Sequence, residues 1–413
     1  MLDNTRMTIS HESGSGRTVA KAASLPLLAL TIFLVAINLR PALSGVAPLL
    51  AAIRASTGLS AAGAGGLTTL PVLCFGIIAP LGPLLARRYS AERTILFSLL
   101  LLAVGIVLRA FFGLPGLFAG TFIAGASIGV AMVLLPSIIK RDFAHNISFI
   151  TGLYTMALCL GAAVAAGAAV PLQQVAGGDW RISLAFWSVP ALLGALAWRA
   201  QGMHGASGPQ QNRYRVSGLS RSRVAWYVAI FMGLQSVLAY CVFGWLPTIL
   251  IDRGFTALSA GAVLSTSIAA QLVTALAGPW LATRGRDQRM IVVVMMALTL
   301  VGLMACMYGP PGQVWLWAVV LGLGQGGSFS VATMLVVLRS PNAHVVAALS
   351  GMAQLVGYLL AATGPFIAGL LRDATDGWNV AAGFFVIVGI AATIAGMGAG
   401  QKLYVNATVQ EAG

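Results

Sequence analysis

Twelve long apolar runs, separated by short polar segments, constrain this chain more than any other feature of its sequence. Each approaches or exceeds the ~20 residues that a helix needs to cross a bilayer. Because backbone N–H and C=O groups in lipid must bond within their own segment, every run is predicted to be a helix. The runs cover residues 25–53, 60–86, 93–112, 115–139, 147–172, 180–200, 224–251, 259–283, 288–308, 314–338, 345–371 and 378–402. Only 8% of the residues are charged, which excludes a soluble protein.

The two halves of the chain repeat each other. RASTGLSA at 54–61 recurs as RGFTALSA at 253–260, and GPLLARR at 82–88 is matched by GPWLATR at 278–284. Parallel six-helix repeats are typical of secondary transporters. The repeated Ser60 and Ser259 are predicted to cap the second and eighth helices.

The repeat predicts an all-α membrane protein with twelve transmembrane helices in two pseudo-symmetric six-helix bundles. The predicted divisions are a tail at 1–24, bundles at 25–200 and 224–402, a linker at 201–223 and a tail at 403–413.

The net charge of +14 is spread over short segments between the runs and does not form one patch. Dispersed Lys and Arg are topology signals, so no nucleic-acid partner is predicted. Eighteen of the 24 basic residues fall on the side that holds both termini, whereas five, including Arg109, fall on the other side. This bias predicts a multi-pass protein with both termini and the linker in the cytoplasm. We expect the membrane to be a bacterial inner membrane.

Arg40 is the remaining basic residue, and it lies in the middle of the first run. An arginine at that depth is costly, and all ten acidic residues lie in tails, loops or segment ends. Pro41 removes a backbone N–H and predicts a kink beside Arg40, which frees the carbonyl of Ile37. Two interpretations follow. The guanidinium either binds a planar anionic or nitro-bearing solute in a cavity, or it caps carbonyl groups freed at the kink.

Two motifs resemble known families. GPLLARR at 82–88 resembles the gating motif of the major facilitator superfamily, with Ala86 where that family has an aspartate. Within the superfamily, AINLRPALSGVAPL at 36–49 resembles the cyanate and 2-nitroimidazole transporter family. The resemblance covers roughly residues 25–402. It implies the major facilitator fold and a monomer that moves a small planar anion or nitro-bearing solute through the lipid bilayer by alternating access.

The resemblance also implies functional residues. The gating motifs would use Gly82, Arg87, Arg88, Gly278 and Arg284. The first, fourth, seventh and tenth helices usually line the path in this fold. The predicted substrate-binding residues are therefore Arg40, Asn38, Ser44, Gln235, Tyr240 and Gln325. Hydrogen bonds between helices are the alternative role for Asn38 and for the two glutamines. Trp245 is predicted to anchor the helix end at the membrane interface.

Other functions fit the sequence less well. A multidrug or metabolite exporter of the same superfamily is the alternative, but exporters of lipophilic cations usually carry a carboxylate in the cavity. The sequence shows no catalytic dyad, metal cluster or phosphate-binding loop, so no enzyme activity, cofactor or metal is predicted. Because no acidic residue or histidine lies at depth, the coupling options are facilitated diffusion, anion exchange, or a proton carried with the anion.

Overall fold

The structure is a computed structural model, and it describes residues 15–78, 81–143, 146–201, 214–284 and 287–411. The described chain is helical except for one two-stranded sheet. The helices of the first half are α1 (Ser15–Ile37), α2 (Pro41–Ser44), α3 (Leu50–Thr57), α4 (Ala61–Ile77), α5 (Leu81–Tyr89), α6 (Ala91–Phe111), α7 (Gly113–Asp142), α8 (Ile147–Val175), α9 (Trp180–Phe186) and α10 (Ser188–Ala200).

The second half holds six long helices. They are α11 (Arg223–Asp252), α12 (Ala257–Arg284), α13 (Arg289–Tyr308), α14 (Val314–Leu338), α15 (Ala343–Thr375) and α16 (Asn379–Ala399). Short 3-10 helices cover Ala47–Leu49, Leu219–Arg221 and Pro311–Gln313. In the described residues, eleven stretches are long and apolar enough to span a membrane, and the shorter apolar α4 accounts for the remaining predicted span. The predicted fold class is therefore confirmed.

The strands β1 (Tyr214–Ser217) and β2 (Thr408–Glu411) pair antiparallel, with Tyr214 opposite Glu411. They join the predicted linker to the predicted C-terminal tail, a contact that the sequence did not suggest. We call the end of the bundle with this sheet the linker face. The end with the turn between α3 and α4 is the opposite face.

At the N-terminus, α1 extends to Ser15, ten residues before the predicted start of the first span.

The first span is broken where the sequence predicts a kink. Helix α1 ends at Ile37, and α2 starts at Pro41, which has no N–H to donate to the Ile37 carbonyl. Arg40 immediately precedes α2, with φ −104° and ψ −27°. The chain then continues through the 3-10 helix and α3, which ends at Thr57 and is followed by Gly58 with φ 69°. The break leaves Arg40 in a short non-helical step inside the bundle.

The two halves meet along α4 with α15 and along α8 with α12. The approach is close because small residues lie at the contacts. A Cβ placed on Gly65 of α4 would lie 2.7 Å from the carbonyl oxygen of Pro365 on α15. On the other side, the Ser265 hydroxyl of α12 donates to the carbonyl of Ala163 on α8 at 2.7 Å. Small residues and polar links of this kind are how membrane helices associate.

Candidate functional site

Arg40 lies at the break of the first span, and its guanidinium reaches helices of both halves. It interacts with Tyr154 and Cys159 on α8 and with Tyr240 and Tyr358 on α11 and α15. A side-chain hydrogen bond joins it to the Tyr240 hydroxyl. Its Nε is buried and has no hydrogen-bond partner among the described residues. Arg40 therefore bridges the halves and retains an unused N–H donor.

No carboxylate neutralises Arg40 in the described part of the chain. The groups with which it interacts are phenols and a thiol. Ion pairs between described residues involve other arginines, namely Arg141, Arg181, Arg289 and Arg372. A buried charge without a counter-charge is strongly unfavourable unless something else compensates it. The site is therefore electrostatically suited to a negatively charged or nitro-bearing ligand.

Gly161 allows α8 to pack tightly against the break in the first span. A Cβ on Gly161 would lie 2.1 Å from the carbonyl oxygen of Ile37, the last residue of α1. On the other side of the break, the Ser44 hydroxyl donates to the Arg40 carbonyl at 3.2 Å. The backbone on both sides of Arg40 is thus held by neighbouring groups, and the guanidinium is left to face the interface between the halves.

A small cavity of about 20 Å³ lies between the halves; Ala42 and Tyr240, which adjoin Arg40, line it, whereas Arg40 does not. Its walls come from the broken first span, α4, α7 and α11. They are formed by Ala42, Leu43, Val46, Leu67, Thr68, Pro71, Thr121, Tyr240, Phe243 and Gly244. Tyr240 both lines this cavity and bonds Arg40. The space accommodates only a few atoms, so this conformation is nearly closed around its centre.

The structure brings Tyr240 and Ser44 to Arg40 but places Asn38 elsewhere. The Asn38 amide donates to the Leu34 carbonyl of its own helix at 2.7 Å. A Cβ on Gly194 of α10 would lie 3.1 Å from the same amide nitrogen. Asn38 thus lies against α10, but its described hydrogen bond is to its own helix and not, as the alternative interpretation expected, to a neighbouring one.

The two glutamines of the predicted site form hydrogen bonds with residues other than Arg40. Gln235 is buried and donates to the Met232 carbonyl at 3.0 Å and to the Ser236 hydroxyl at 2.7 Å. Gln325 accepts a hydrogen bond from Gln271 at 3.2 Å, and its own amide nitrogen is buried without a partner in the described part of the chain. Neither glutamine is among the groups with which Arg40 interacts.

Comparison with known proteins supplies the family. A family model for the major facilitator superfamily matches residues 28–365. The chain belongs to the major facilitator superfamily. It is 36% identical to the 2-nitroimidazole transporter of Escherichia coli K12 over 375 residues, which are 90% of this chain and 94% of the relative. It is 30% identical to the cyanate transport protein CynX of the same strain, over 84% of this chain and 91% of that relative.

A solved structure supports the same fold. The nucleoside transporter NupG superposes with a TM-score of 0.73 over 91% of this chain and all of that chain, at 13% identity. This chain is therefore a major facilitator transporter and not an enzyme, and it belongs to the cyanate and 2-nitroimidazole transporter family.

The superfamily gating motif lies on α5 at the linker face. Gly82 of α5 packs against α7, since a Cβ there would lie 3.5 Å from the Val130 carbonyl. The guanidinium of Arg88 lies 5.4 Å from the ring centre of Tyr89. The side chains of Arg87 and Arg284 and the surroundings of Gly278 lie outside the described residues.

A charge cluster near this motif was missed by the sequence reasoning. Arg141, at the end of α7, pairs with Glu92 of α6 at 2.7 Å and with its neighbour Asp142 at 2.8 Å. The motif's own aspartate is replaced by Ala86, so this cluster supplies an ionic link between two helices of the first half at the linker face.

Sequence reasoning also left out or misplaced four other residues. Tyr154 and Tyr358 were visible as polar groups at depth, but only their electrostatic interaction with Arg40 marks them as part of the candidate site. Arg109 was counted among the charges of the opposite face; it lies in the last turn of α6, but its side chain is 1% exposed and therefore buried in the bundle, which the sequence did not suggest. Trp245 was predicted to anchor the interface, and this is wrong. It is fully buried, and its Nε1 donates to the carbonyl of Pro365 at 2.9 Å.

Proposed function

We propose that this transporter moves a small planar anion or nitro-bearing solute across the bacterial inner membrane by alternating access, with Arg40 as the main substrate-binding group. The observation that carries the proposal is the position of Arg40. It lies between the halves, beside a cavity, with an unpaired N–H and no carboxylate partner among the described residues. A planar guanidinium suits flat oxygen-bearing groups because its donors lie in a fixed fork.

The names of the two relatives support the same class of solute. One is named for 2-nitroimidazole and the other for cyanate, which share flatness and polar nitrogen or oxygen atoms. The three tyrosines that interact with Arg40, namely Tyr154, Tyr240 and Tyr358, offer aromatic faces that favour a flat ligand as well. The cavity of about 20 Å³ favours a solute of few atoms over a bulky one in this conformation.

We further propose the orientation and division of the chain. The linker face is cytoplasmic, and the opposite face is periplasmic, in keeping with the bias of basic residues. Residues 25–200 and 224–402 act as the two bodies that rock about Arg40, and residues 201–223 connect them. The transporter works as a monomer, since each chain carries a complete set of cavity walls.

The test is uptake by the purified protein in liposomes. Labelled cyanate and 2-nitroimidazole are offered to the wild-type protein and to Arg40→Ala, Arg40→Lys and Arg181→Ala. Arg181 is the matched control, since it is an arginine paired with Asp179 at 3.6 Å at the opposite face. We expect Arg40→Ala to abolish uptake. Arg40→Lys should fail nearly as badly, because an ammonium group does not reproduce the planar fork. Arg181→Ala should retain normal uptake.

Two results contradict the proposal. One is normal uptake by a well-folded Arg40→Ala protein. The other is wild-type transport of a lipophilic cation such as ethidium with no response to either small solute, which would favour the exporter of the same superfamily.

A further inference from the structure

Arg109 of α6 is deeply buried, with 1% of its surface exposed. Its Nη1 donates to the carbonyl oxygen of Ala42 at 2.6 Å. Its Nε and Nη2 are also buried, and they have no hydrogen-bond partner among the described residues. Like Arg40, it takes part in none of the ion pairs between described residues.

The bond to Ala42 places this charge directly behind the cavity wall. Ala42 lies two residues after Arg40, on the other side of Pro41, and it lines the cavity. Helix α7 closes the space behind Arg109, because a Cβ on Gly120 would lie 2.4 Å from the Arg109 backbone nitrogen. The backbone of Arg109 is thus packed tightly against α7, and its guanidinium reaches the broken first span at Ala42.

Support of the Ala42 carbonyl does not by itself require an arginine. A neutral amide could donate one hydrogen bond there, whereas a guanidinium leaves two buried donors unmet and a charge without a counter-ion. In a medium of low dielectric constant, such a charge acts over several ångströms. The feature that only the arginine provides is therefore its positive field in the cavity.

We propose that Arg109 is a specificity-determining residue: its uncompensated charge, held against the cavity wall by Ala42, makes the cavity prefer an anion to a neutral solute of similar shape. The inference rests on the proposed function, since it assumes that the solute binds beside Arg40. Arg40 contacts the solute, and Arg109 acts from behind the wall.

The experiment compares two small planar ligands that share an O–N–O group. Nitrate is an anion and nitromethane is neutral. Their binding to purified protein is measured by calorimetry for the wild type, Arg109→Gln, Arg109→Met, Arg109→Lys and Arg40→Ala. Gln keeps a donor without charge, Lys keeps the charge, and Met fills the space with no unmet donor. Melting temperatures in detergent identify any variant that has failed to fold.

We expect Arg109→Gln and Arg109→Met to weaken nitrate binding about tenfold, from the loss of one nearby charge. Nitromethane binding should change less than about twofold, and Arg109→Lys should restore most of the nitrate affinity. Equal weakening of both ligands would overturn the inference, since it would reduce Arg109 to a support for Ala42. Unchanged nitrate binding in the neutral variants would overturn it too.

The outcomes for Arg40→Ala separate the two proposals. If nitrate still binds normally to Arg40→Ala, the proposed function fails, whatever Arg109 does. If Arg40→Ala loses both ligands and Arg109→Gln keeps nitrate, only the inference about Arg109 fails. A wild-type protein that binds nitromethane better than nitrate would contradict the inference about Arg109 and leave the proposed function standing, since nitromethane bears a nitro group.

Discussion

The Asp373 carboxylate accepts the backbone N–H of Ala62 at 2.6 Å, which joins the end of α15 to the start of α4. Its other oxygen accepts the N–H of Ala61 at 3.1 Å. One acidic side chain of the second half thus satisfies two free donors at a helix N-terminus of the first half, where negative charge is favoured. This contact closes the opposite face.

Asp373→Asn should loosen that closure, because an amide offers one acceptor oxygen and no charge to the α4 N-terminus. An open recess of about 550 Å³ adjoins the contact and includes Thr248. With a Thr248→Cys reporter, we expect a membrane-impermeant maleimide to label Asp373→Asn severalfold faster than the wild type. Asp376→Asn is the control, since Asp376 pairs only with Arg372 among the described residues. Equal rates in both variants would rule out a closing role for Asp373.

Gly161→Ala should damage the site through the backbone. The added Cβ would lie 2.1 Å from the Ile37 carbonyl oxygen, so α8 and the broken span must move apart. Overpacking of this kind costs about 1–3 kcal/mol. We expect a lower melting temperature in detergent and loss of cyanate uptake. Gly152→Ala on the same helix is the matched control, because its nearest neighbour, a Leu276 methyl carbon, lies at 3.9 Å. Equal behaviour of the two variants would mean that the break tolerates displacement.

Tyr240→Phe should weaken anion binding without unfolding the protein. It removes the hydroxyl that bonds Arg40 and keeps the ring that packs on Phe243 at 6.0 Å between centres. Hydrogen bonds to charged groups contribute about 1.5–3 kcal/mol, which corresponds to a loss of roughly tenfold or more in affinity. Calorimetry with nitrate measures this loss of affinity. Tyr308→Phe removes a hydroxyl bonded to Asn379 at the surface and should leave the affinity unchanged. A wild-type affinity in Tyr240→Phe would show that Arg40 needs no such partner.

The two glutamines of the predicted site should differ in their response to leucine. The Gln235 amide nitrogen donates to Met232 and Ser236 on its own helix, so Gln235→Leu should change the apparent uptake constant by less than about twofold. Gln325 has a buried amide nitrogen with no described partner, which leaves a donor available to a passing solute. Gln325→Leu should therefore slow transport. The reverse order, with Gln235→Leu the more harmful, would contradict the assignment of the free Gln325 donor to the solute path.

The repeated serines show how far local sequence signals reach. Ser60 caps α4 as predicted, since its hydroxyl accepts the N–H of Gly63 at 3.0 Å. The same prediction is wrong for Ser259, because α12 begins two residues earlier, at Ala257. There the Thr256 hydroxyl accepts the N–H of Ser259 at 3.2 Å. Both helices start where hydroxyl groups are available, but the packing of each half decides which hydroxyl is used.

The sequence by itself determined the fold and the central residue of the site. Long apolar runs must be helices in lipid, the internal repeat sets the two halves, and an arginine followed by proline at depth marks both a break and a charge that needs a partner. These conclusions depend on local composition and spacing, so they did not require knowledge of which helices touch.

Only the tertiary structure decided which groups meet Arg40. Tyr154 and Tyr358 come from α8 and α15, far apart in sequence, and nothing in their own segments distinguishes them from other buried tyrosines. Arg109 lies near the end of its helix, which favours an exposed position, yet its long side chain reaches inward to the Ala42 carbonyl. The physical reason is the same in each case. A side chain's depth follows from the helix it belongs to, but its direction and partner follow from helix packing, which long-range contacts between the halves determine.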